Sequence, residues 1–408
     1  MSERPRILVL TPRFPYPVVG GDRLRIHAIC RALAREHSLT LLSLCESQAE
    51  FDPALVSDGV FDRIERVRLP RWRSLAQVAA ALPGRTPLQV AYYRSRRFAR
   101  RVAALLPGHD LAVAHLIRTG DYLIGRDGPP AVLEMTDAIS MNYARVRRHG
   151  VPGLRGRVYA IEQARLLAYE RRMPEAFATV SLIAEADARH LWGATLSGNL
   201  VVASNGVDCD ALPFRDRTAA RPIAVFIGNM FSAQNMDACR HFVTDILPRL
   251  SARDLEEFRV VGRIRDADAA WLRAHPRVTV TGEIGSIPDA VRDGRIGVCP
   301  VRLGAGVQNK VLEYMALGLP VVCSPVGHEG IAAISGRDLL IAATPTEFAA
   351  RIRQLSEDPG LCKSLADNGR RFVETIHGWD AALAPLIARI RHHIATSTRI
   401  PRASSAPS

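Results

Sequence analysis

The residues best suited to chemistry lie in the run RLGAGVQNKVLEYMALGLPVV, positions 302–322. Arg302 is followed by a loop with two glycines and then by a segment of helical periodicity that begins near Lys310. Free backbone N–H groups at a helix start, together with an arginine and a lysine, favour binding of a diphosphate. Glu313 follows Lys310 by one helical turn, where its carboxylate can accept hydrogen bonds from a ribose diol.

Lys310 is also unusual in its residue type. The chain has 54 lysines and arginines, of which only Lys310 and Lys363 are lysines. An ammonium group is a compact point charge, whereas a guanidinium is a planar fork, so a pocket shaped for one ammonium would reject arginine. We therefore predict that Lys310 binds phosphate oxygens. The alternative is a surface lysine that occurs there by chance.

A second glycine loop, PYPVVGGDRLRI at positions 15–26, follows the first predicted strand. Gly20 and Gly21 precede a helix and would allow the backbone to approach a ligand closely. Arg25 would add positive charge. The motif is not a GxGxxG fingerprint, and a merely structural turn explains it equally well.

Three weaker predictions concern polar residues near strand ends or on a long helix. His115 ends the run LAVAH and can accept a hydrogen bond from a hydroxyl, although a structural histidine is the simpler alternative. Asp137 follows AVLEMT and is either a ligand for an acceptor or the N-cap of the next helix. Glu162 and Glu170 are predicted to lie on a solvated helix face with nearby arginines.

The elements that must position these residues alternate between strands and helices. Near-continuous apolar runs such as ILVLT (7–11) are typical of parallel strands buried on both faces. A second series of such runs begins at PIAVFIG (222–228). We therefore predict an α/β fold with two doubly wound domains, a boundary near 205–220, and ligands at the carboxyl ends of the strands.

Composition narrows the functional classes. No apolar run reaches the ~20 residues that span a bilayer, so we expect a soluble, cytoplasmic protein. The seven cysteines form no CxxC pair and have no zinc-ligand spacing, which predicts reduced structural thiols and no metal. The net charge of +13 favours anionic partners, but the basic residues are dispersed and no nucleic-acid-binding motif is present.

The run at 302–322 resembles the donor-site signature of retaining GT-B glycosyltransferases of family 4, K-x-x-E-A-M-A-x-G-x-P-V-V. The matching residues are Lys310, Glu313, Met315, Ala316, Gly318, Pro320, Val321 and Val322. GxxNKVLE, GGDRLR, FIGNMFSAQNMDA and ASNGVD resemble the branch associated with exopolysaccharide and capsule gene clusters. The resemblance therefore covers nearly the whole chain.

The resemblance implies roles for individual residues. Lys310 and Arg302 would bind the donor diphosphate and assist its departure, and Glu313 would bind the ribose. Other implied contacts with the donor are at Gly20, Gly21, Arg25, Gly304, Ala305 and Gly306. His115 is predicted to be catalytic, and Asp137, from its place at a strand end, is predicted to bind the acceptor.

The chain also departs from the family pattern. Ala305 stands where many members have a first glutamate, and Tyr314 replaces an alanine. Asn229 and Gln234 stand where an arginine and a lysine are usual. These departures affect the contacts to the donor sugar and leave the phosphate charge to Arg302, Lys310 and Arg25.

The resemblance also implies an organisation of the chain. It assigns an acceptor-binding Rossmann-like domain, a nucleotide-sugar-binding Rossmann-like domain, a C-terminal helix that packs back on the first domain, and a disordered tail. The corresponding ranges are 1–205, 206–380, 381–396 and 397–408.

The expected activity is transfer of a sugar from a nucleotide-diphosphate donor to a glycan, lipid-linked or small-molecule acceptor, without a cofactor or metal ion. Two alternatives remain: a GT-B nucleotide-sugar epimerase and a non-catalytic sugar-nucleotide-binding protein. The basic clusters RLPRWR (68–73) and YYRSRRFARR (92–101) suggest peripheral contact with an anionic membrane, with a solvated arginine-rich face as the alternative.

Overall fold

The computed structural model describes residues 4–18, 20–56, 58–148, 153–193, 198–303 and 307–397. Contacts divide the chain into two units. Unit 1 contains Met1–Ser204 and Leu383–Ser408, and unit 2 contains Asn205–Ala382. In the described residues each unit has a sheet of parallel strands with helices between them, which confirms the predicted α/β class with two doubly wound sheets.

Seven parallel strands form the sheet of unit 1: β1 (Arg6–Thr11), β2 (Ser38–Cys45), β3 (Arg63–Arg68), β4 (Leu111–His115), β5 (Ala131–Thr136), β6 (Thr179–Leu182) and β7 (Leu200–Val202). Their order is β3-β2-β1-β4-β5-β6-β7. The order reverses between β1 and β4, which pair directly from Ile7 with Leu111 to Leu10 with Ala114. Such a reversal opens a crevice at the carboxyl ends of the two strands.

The central strands of unit 1 are apolar throughout, but β3 at the edge is not. Ile7, Leu8 and Val9 of β1 have no exposed surface. β3 has the sequence RIERVR, and most of its side chains keep contact with solvent. Charges on an edge strand discourage pairing with other chains, and they also hide the strand from a search for apolar runs.

The helices of unit 1 are α1 (Gly21–Ala34), α2 (Arg71–Ala81), α3 (Leu88–Tyr92), α4 (Arg96–Leu105), α5 (Ile117–Gly120), α6 (Ile139–Arg148), α7 (Gly153–Arg171), α8 (Met173–Ala176) and α9 (Glu185–Trp192). In α1, Ile26, Ile29 and Leu33 recur at helical spacing and are all buried. Helix α1 begins at Gly21, which belongs to the predicted glycine loop.

Unit 2 repeats the same plan with β8 (Arg221–Ile227), β9 (Glu257–Val261), β10 (Val278–Gly282), β11 (Gly294–Cys299), β12 (Val321–Cys323) and β13 (Leu340–Ile341). The strand order is β10-β9-β8-β11-β12-β13, so the reversal lies between β8 and β11. The helices are α10 (Ala233–His241), α11 (Asp266–Arg273), α12 (Ile287–Ala290), α13 (Asn309–Ala316), α14 (Pro325–His328), α15 (Pro345–Glu357), α16 (Pro359–Phe372) and α17 (Trp379–Ser397).

The last helix, α17, begins in unit 2 and continues into unit 1 from Leu383. Within unit 1, its residue Arg391 forms an ion pair with Glu36 at 2.7 Å, and His393 hydrogen-bonds Thr179 at 2.8 Å. The predicted disordered tail lies outside the described residues from 398 onward. Among the described helices, none is both long and apolar enough to cross a membrane.

Helix α13 is fixed to the sheet of unit 2 by Tyr314. The side chain is fully buried, and its ring occupies the place that a side chain on Gly297 would need. A Cβ atom on Gly297 would lie 2.5 Å from Cγ of Tyr314. The hydroxyl accepts a hydrogen bond from the backbone N–H of Ile227 at 2.8 Å. The tyrosine at this position therefore depends on a glycine in β11.

The prediction of a solvated face for Glu162 and Glu170 is wrong, because both carboxylates are buried. Glu162 accepts a hydrogen bond from the backbone N–H of Leu88, and Glu170 accepts one from Ile139 at 2.7 Å. Burial raises the pKa of Glu170 to about 7. These glutamates bind the starts of α3 and α6, where helical N–H groups lack partners of their own.

Gly297→Ala should destabilise unit 2, because the added methyl group collides with the ring of Tyr314. The expected loss in the free energy of unfolding is about 1–3 kcal/mol, as for other overpacked cores. Thermal and urea unfolding would measure it. Gly285→Ala is the matched control, because a Cβ there meets nothing within 4 Å. Equal stability of the two variants would contradict the proposed fit between Gly297 and Tyr314.

Candidate active site

In unit 2, two helices start at the carboxyl ends of the strands beside the reversal. Helix α10 follows β8, and α13 follows β11. A hydrogen bond of 3.1 Å from Nζ of Lys310 to Oδ1 of Asn235 connects the first turns of the two helices. The structure therefore places Lys310 at the topological switch point, where open α/β sheets bind ligands.

The ammonium group of Lys310 has neutral partners. Besides Asn235, it donates a hydrogen bond to Oε1 of Gln308 at 3.2 Å, and it lies 5.2 Å from the ring centroid of Phe226. No acidic side chain of the described residues forms a salt bridge with it. The first turn of α13 also lacks an acidic residue, so a cation lies at the positive end of a helix dipole. This arrangement favours a bound anion.

Glu313 lies one turn further along α13 and is half-buried. Burial raises the pKa of its carboxyl group, and the charge of Lys310 opposes that rise only in part. Within the described part of the chain, no group donates a hydrogen bond to this carboxylate. A half-buried carboxylate without donors suits a ligand that brings hydroxyl groups.

Arg302 is positioned by an acidic residue of α10. Its Nη2 and Nε donate hydrogen bonds to the carboxylate of Asp237 at 2.8 and 3.2 Å. These bonds raise the pKa of Arg302. The side chain is still 49% exposed, so a phosphate can reach it from solvent. Asp237 holds the guanidinium and reduces the charge that it offers to an anion.

The positions that differ from the family pattern have defined partners. Gln234 donates a hydrogen bond to Oε1 of Gln308 at 3.1 Å, the same oxygen that accepts from Lys310. Asn229 accepts from the backbone N–H of Phe231. Neutral amides thus surround Lys310. The predicted donor contacts at Gly304, Ala305 and Gly306 lie outside the described residues.

In unit 1, the corresponding switch point is formed by the end of β1 and the end of β4. Gly20 is the N-cap of α1 and has a φ of +100°, a conformation that favours glycine. Gly21 is the first residue of α1, and both glycines are exposed. Their contact with a donor stays a prediction.

A buried network joins α1, β4 and β5 beside this switch point. Oε1 of Glu134 accepts a hydrogen bond from Nε of Arg25 at 2.6 Å, and Oε2 lies 2.6 Å from Nδ1 of His115. The guanidinium also donates to the carbonyl oxygens of Ala203 and Ser204 at 2.8 and 2.9 Å. Burial alone would raise the pKa of Glu134, but Arg25 and His115 lower it to about 2.

This placement does not fit the predicted contact of Arg25 with donor phosphates. The side chain is almost fully buried, and its N–H groups already bind a carboxylate and two carbonyl oxygens. Arg25 instead holds Glu134 against the end of β7. Glu134 in turn fixes the ring of His115, which is 3% exposed and has its other ring nitrogen directed away from the pair. The catalytic role of His115 stays a prediction.

Asp137 does not cap α6 in the way that the alternative interpretation requires. The amides at the start of this helix bind other carboxylates, with Ala138 donating to Asp187 at 2.9 Å and Ile139 to Glu170. Asp137 accepts a hydrogen bond from the side chain of Asn142 at 2.6 Å. Burial raises its pKa. Its contact with an acceptor stays a prediction.

A hollow of about 380 Å³ in unit 1 is lined by aromatic and basic side chains, including Arg13, Gln89, Tyr92, Tyr93 and Arg118. Arg118 donates a hydrogen bond to Oε1 of Gln89 at 2.9 Å and lies over the ring of Tyr93. Its Nε is buried and has no partner among the described residues. Aromatic faces with a few converging polar groups are typical of sites for small ligands.

Comparison with known proteins agrees with the geometry of unit 2. Residues 221–358 match the family model described as "Glycosyl transferases group 1". The matched segment contains all six strands of unit 2 together with Arg302, Lys310 and Glu313. A relative from Klebsiella pneumoniae, an uncharacterized 44.6 kDa protein in the cps region, is 24% identical over 159 residues. That alignment covers 37% of this chain and 41% of the relative.

Solved structures match over nearly the whole chain. Sucrose-phosphate synthase from Thermosynechococcus elongatus has a TM-score of 0.70 at 17% identity, covering 96% of this chain and 100% of that chain. HepE from Anabaena, solved in complex with UDP and glucose, has a TM-score of 0.66 at 15% identity, covering 95% and 99%. These similarities confirm the predicted GT-B fold.

Several residues of the two switch points were not predicted from the sequence. They are Asn235, Asp237, Gln308 and Glu134. The only signal was at Glu134, whose charge interrupts the apolar run AVLEMT and so indicates a buried partner. The others are polar residues in or beside first turns, where a polar side chain is common for many reasons.

Glu134→Gln should destabilise unit 1 by about 3–5 kcal/mol at pH 7, because Arg25 would remain buried without a counter-charge. The pKa of Glu134 is lowered from 4.5 to about 2, so the stabilisation is complete above about pH 4.5 and is lost as the pH falls toward 2. Urea unfolding of both proteins at neutral and acidic pH would measure the difference, which should shrink in acid.

The matched control is Glu36→Gln, which removes the exposed ion pair with Arg391 and should cost at most about 1 kcal/mol. A Glu134→Gln variant as stable as this control at pH 7 would contradict the buried network. So would a difference from the unmodified protein that does not change between neutral and acidic pH.

Proposed function

We propose that this chain is a retaining GT-B glycosyltransferase of family 4. It would act in the cytoplasm and transfer a sugar from a nucleotide-diphosphate donor to a glycan, lipid-linked or small-molecule acceptor in polysaccharide or glycoconjugate biosynthesis. The observation that carries the proposal is the ammonium of Lys310. It lies at the first turn of α13 without an acidic partner among the described residues, inside the segment that matches a group 1 glycosyltransferase model.

In the proposed chemistry, each predicted site residue of unit 2 contacts one part of the donor. Lys310 and the N–H groups at the start of α13 bind the diphosphate, Arg302 supports it from the side of Asp237, and Glu313 accepts hydrogen bonds from the ribose. The bond from the anomeric carbon to the diphosphate oxygen breaks, and a bond to the acceptor oxygen forms as the acceptor hydroxyl passes its proton to the departing diphosphate. Charge that develops on the departing diphosphate is stabilised by Lys310 and the helix N-terminus.

Unit 1 supplies the acceptor side of the proposal. His115, held by Glu134, and Asp137 are assigned to the acceptor, and the hollow beside Arg118 is wide enough for a small polar group or sugar. HepE was solved with UDP and glucose, which supports a nucleotide sugar as the donor here as well. We propose that the reaction needs no metal ion.

Turnover assays with and without acceptor separate this proposal from its alternatives. Release of nucleoside diphosphate from a nucleotide sugar only when a lipid or glycan extract is present supports a transferase. Conversion of one nucleotide sugar into another without any acceptor would indicate an epimerase. Binding without turnover under every condition would indicate a non-catalytic protein.

Lys310→Ala should weaken binding of UDP, GDP or dTDP by about tenfold to a hundredfold, because hydrogen bonds to charged groups contribute about 1.5–3 kcal/mol. Calorimetric titration would measure the affinity. The matched control is Lys363→Ala, which removes the other lysine of the chain, an exposed side chain paired with Asp367. Unchanged affinity of Lys310→Ala, or an equal loss in the control, would refute the phosphate assignment.

Glu313→Gln should weaken binding of a nucleoside diphosphate by about tenfold but should barely change binding of its 2′,3′-dideoxy analogue. The reason is that the carboxylate is assigned to the ribose hydroxyls, which the analogue lacks. Calorimetric titration of both ligands into the unmodified protein and into the Glu313→Gln variant gives the four affinities to compare. An equal loss for the two ligands would show that Glu313 acts through the fold of α13 and not through the ribose.

A further inference from the structure

The positive charge of the chain is concentrated in two segments of unit 1. Residues 66–109 and 138–161 contain fifteen arginines and no aspartate or glutamate. The rest of the chain has 39 basic and 41 acidic residues. The net charge of +13 therefore belongs to these segments, which hold α2–α4, all of α6 and the first half of α7.

The two segments are neighbours in the folded protein. The backbone N–H of Leu88 donates a hydrogen bond to Oε1 of Glu162 at 2.5 Å. Nη2 of Arg165 donates to the carbonyl oxygen of Leu82 at the same distance. These bonds hold the end of α2 and the start of α3 against the middle of α7. The two segments thus lie in the same part of unit 1, and Arg71, Arg85 and Arg157 are among their exposed arginines.

Apolar side chains project from this region into solvent. Trp72 and Leu75 of α2 are 66% and 63% exposed, and Leu82 at its end is also exposed. Val158 and Ile161 of α7 are exposed one turn apart, and Ile161 directly precedes Glu162. We call these five residues the apolar ridge. Soluble proteins rarely expose tryptophan and several aliphatic residues together unless the surface meets a partner.

In the second basic cluster, at 92–101, only Tyr92 among the aromatic residues reaches solvent, and it is half-buried. Tyr93 and Phe98 are buried. Trp72, by contrast, lies on the surface with the guanidinium of Arg73 stacked at 5.1 Å from its ring. The structure therefore distinguishes the two clusters and selects the one on α2.

We propose that the apolar ridge and its surrounding arginines bind the surface of an anionic phospholipid membrane. Trp72, Leu75 and Leu82 would enter the interface between headgroups and acyl chains, as on other amphipathic interfacial helices. The exposed guanidinium groups of Arg71 and Arg85 would lie at the level of the lipid phosphates. The proposal goes beyond the proposed function and does not depend on it.

Two features favour a membrane over a nucleic acid. The ridge includes leucine, valine and isoleucine, which gain from contact with acyl chains but not from contact with a phosphate backbone. The hollow of unit 1 is bordered by Val78 of α2 and Leu88 of α3, so the ridge lies beside a polar and aromatic hollow. A membrane-bound protein would hold the mouth of this hollow near the lipid headgroups.

Co-sedimentation of the full chain with vesicles tests the proposal. We expect binding to phosphatidylcholine vesicles that contain phosphatidylglycerol, and at least about tenfold weaker binding to phosphatidylcholine alone. Trp72→Ser/Leu75→Ser should weaken binding to the anionic vesicles by about tenfold or more. The matched control, Ile334→Ser/Ile376→Ser, changes two similarly exposed apolar residues of unit 2 and should bind as the unmodified chain does.

Three outcomes would overturn the proposal. Equal binding to both kinds of vesicle would remove the role of charge, and equal losses in the ridge variant and the control would remove the role of the ridge. Binding of single-stranded RNA that is lost in the ridge variant, without vesicle binding, would assign the surface to nucleic acid. Nucleoside-diphosphate binding, measured on the same variants, should be the same as for the unmodified chain. If the unmodified chain binds no nucleoside diphosphate, that result would contradict only the proposed function.

Discussion

The burial of parallel strands on both faces is the constraint on which both units depend. A strand such as β1, with Ile7 to Leu10 fully buried, has no room for polar side chains along its length. Polar groups are confined to the strand ends and the helix starts that follow. The reversals of strand order, β1 against β4 and β8 against β11, then decide where those groups meet. The fold thereby concentrates its chemistry at two edges.

The charged groups at the two edges are in opposite situations, one neutralised and one not. In unit 1, Arg25 and Glu134 form a buried ion pair out of contact with water. This pair orients the ring of His115 and binds the end of β7. A buried pair of this kind adds little net stability, but losing one member is costly. In unit 2, the ammonium of Lys310 is left among amide oxygens and a helix dipole that repels it. The first arrangement is complete by itself, whereas we propose that a bound anion completes the second.

Sequence patterns predicted most strands because buried parallel strands are apolar without interruption. They failed at β3 and β13, since a charged edge strand and a strand of two residues carry no such pattern. At the site, Lys310 and Glu313 could be found because residue type and spacing both carried information. Arg25 could not be judged in the same way. Whether an arginine faces a ligand or a buried glutamate depends on Glu134, a residue 109 positions away.

Net charge and the phosphate site have different origins in this chain. The arginines that make the chain basic lie in segments 66–109 and 138–161, in unit 1, whereas the proposed diphosphate site in unit 2 relies on Lys310 and on a partly neutralised Arg302. A diphosphate in a crevice needs few charged side chains when N–H groups at a helix start also donate hydrogen bonds to it. A diffuse surface charge cannot supply that geometry, but it does attract an extended anionic surface over many contacts. We therefore connect the basic composition with the proposed membrane surface, and the single lysine of α13 with the proposed nucleotide ligand.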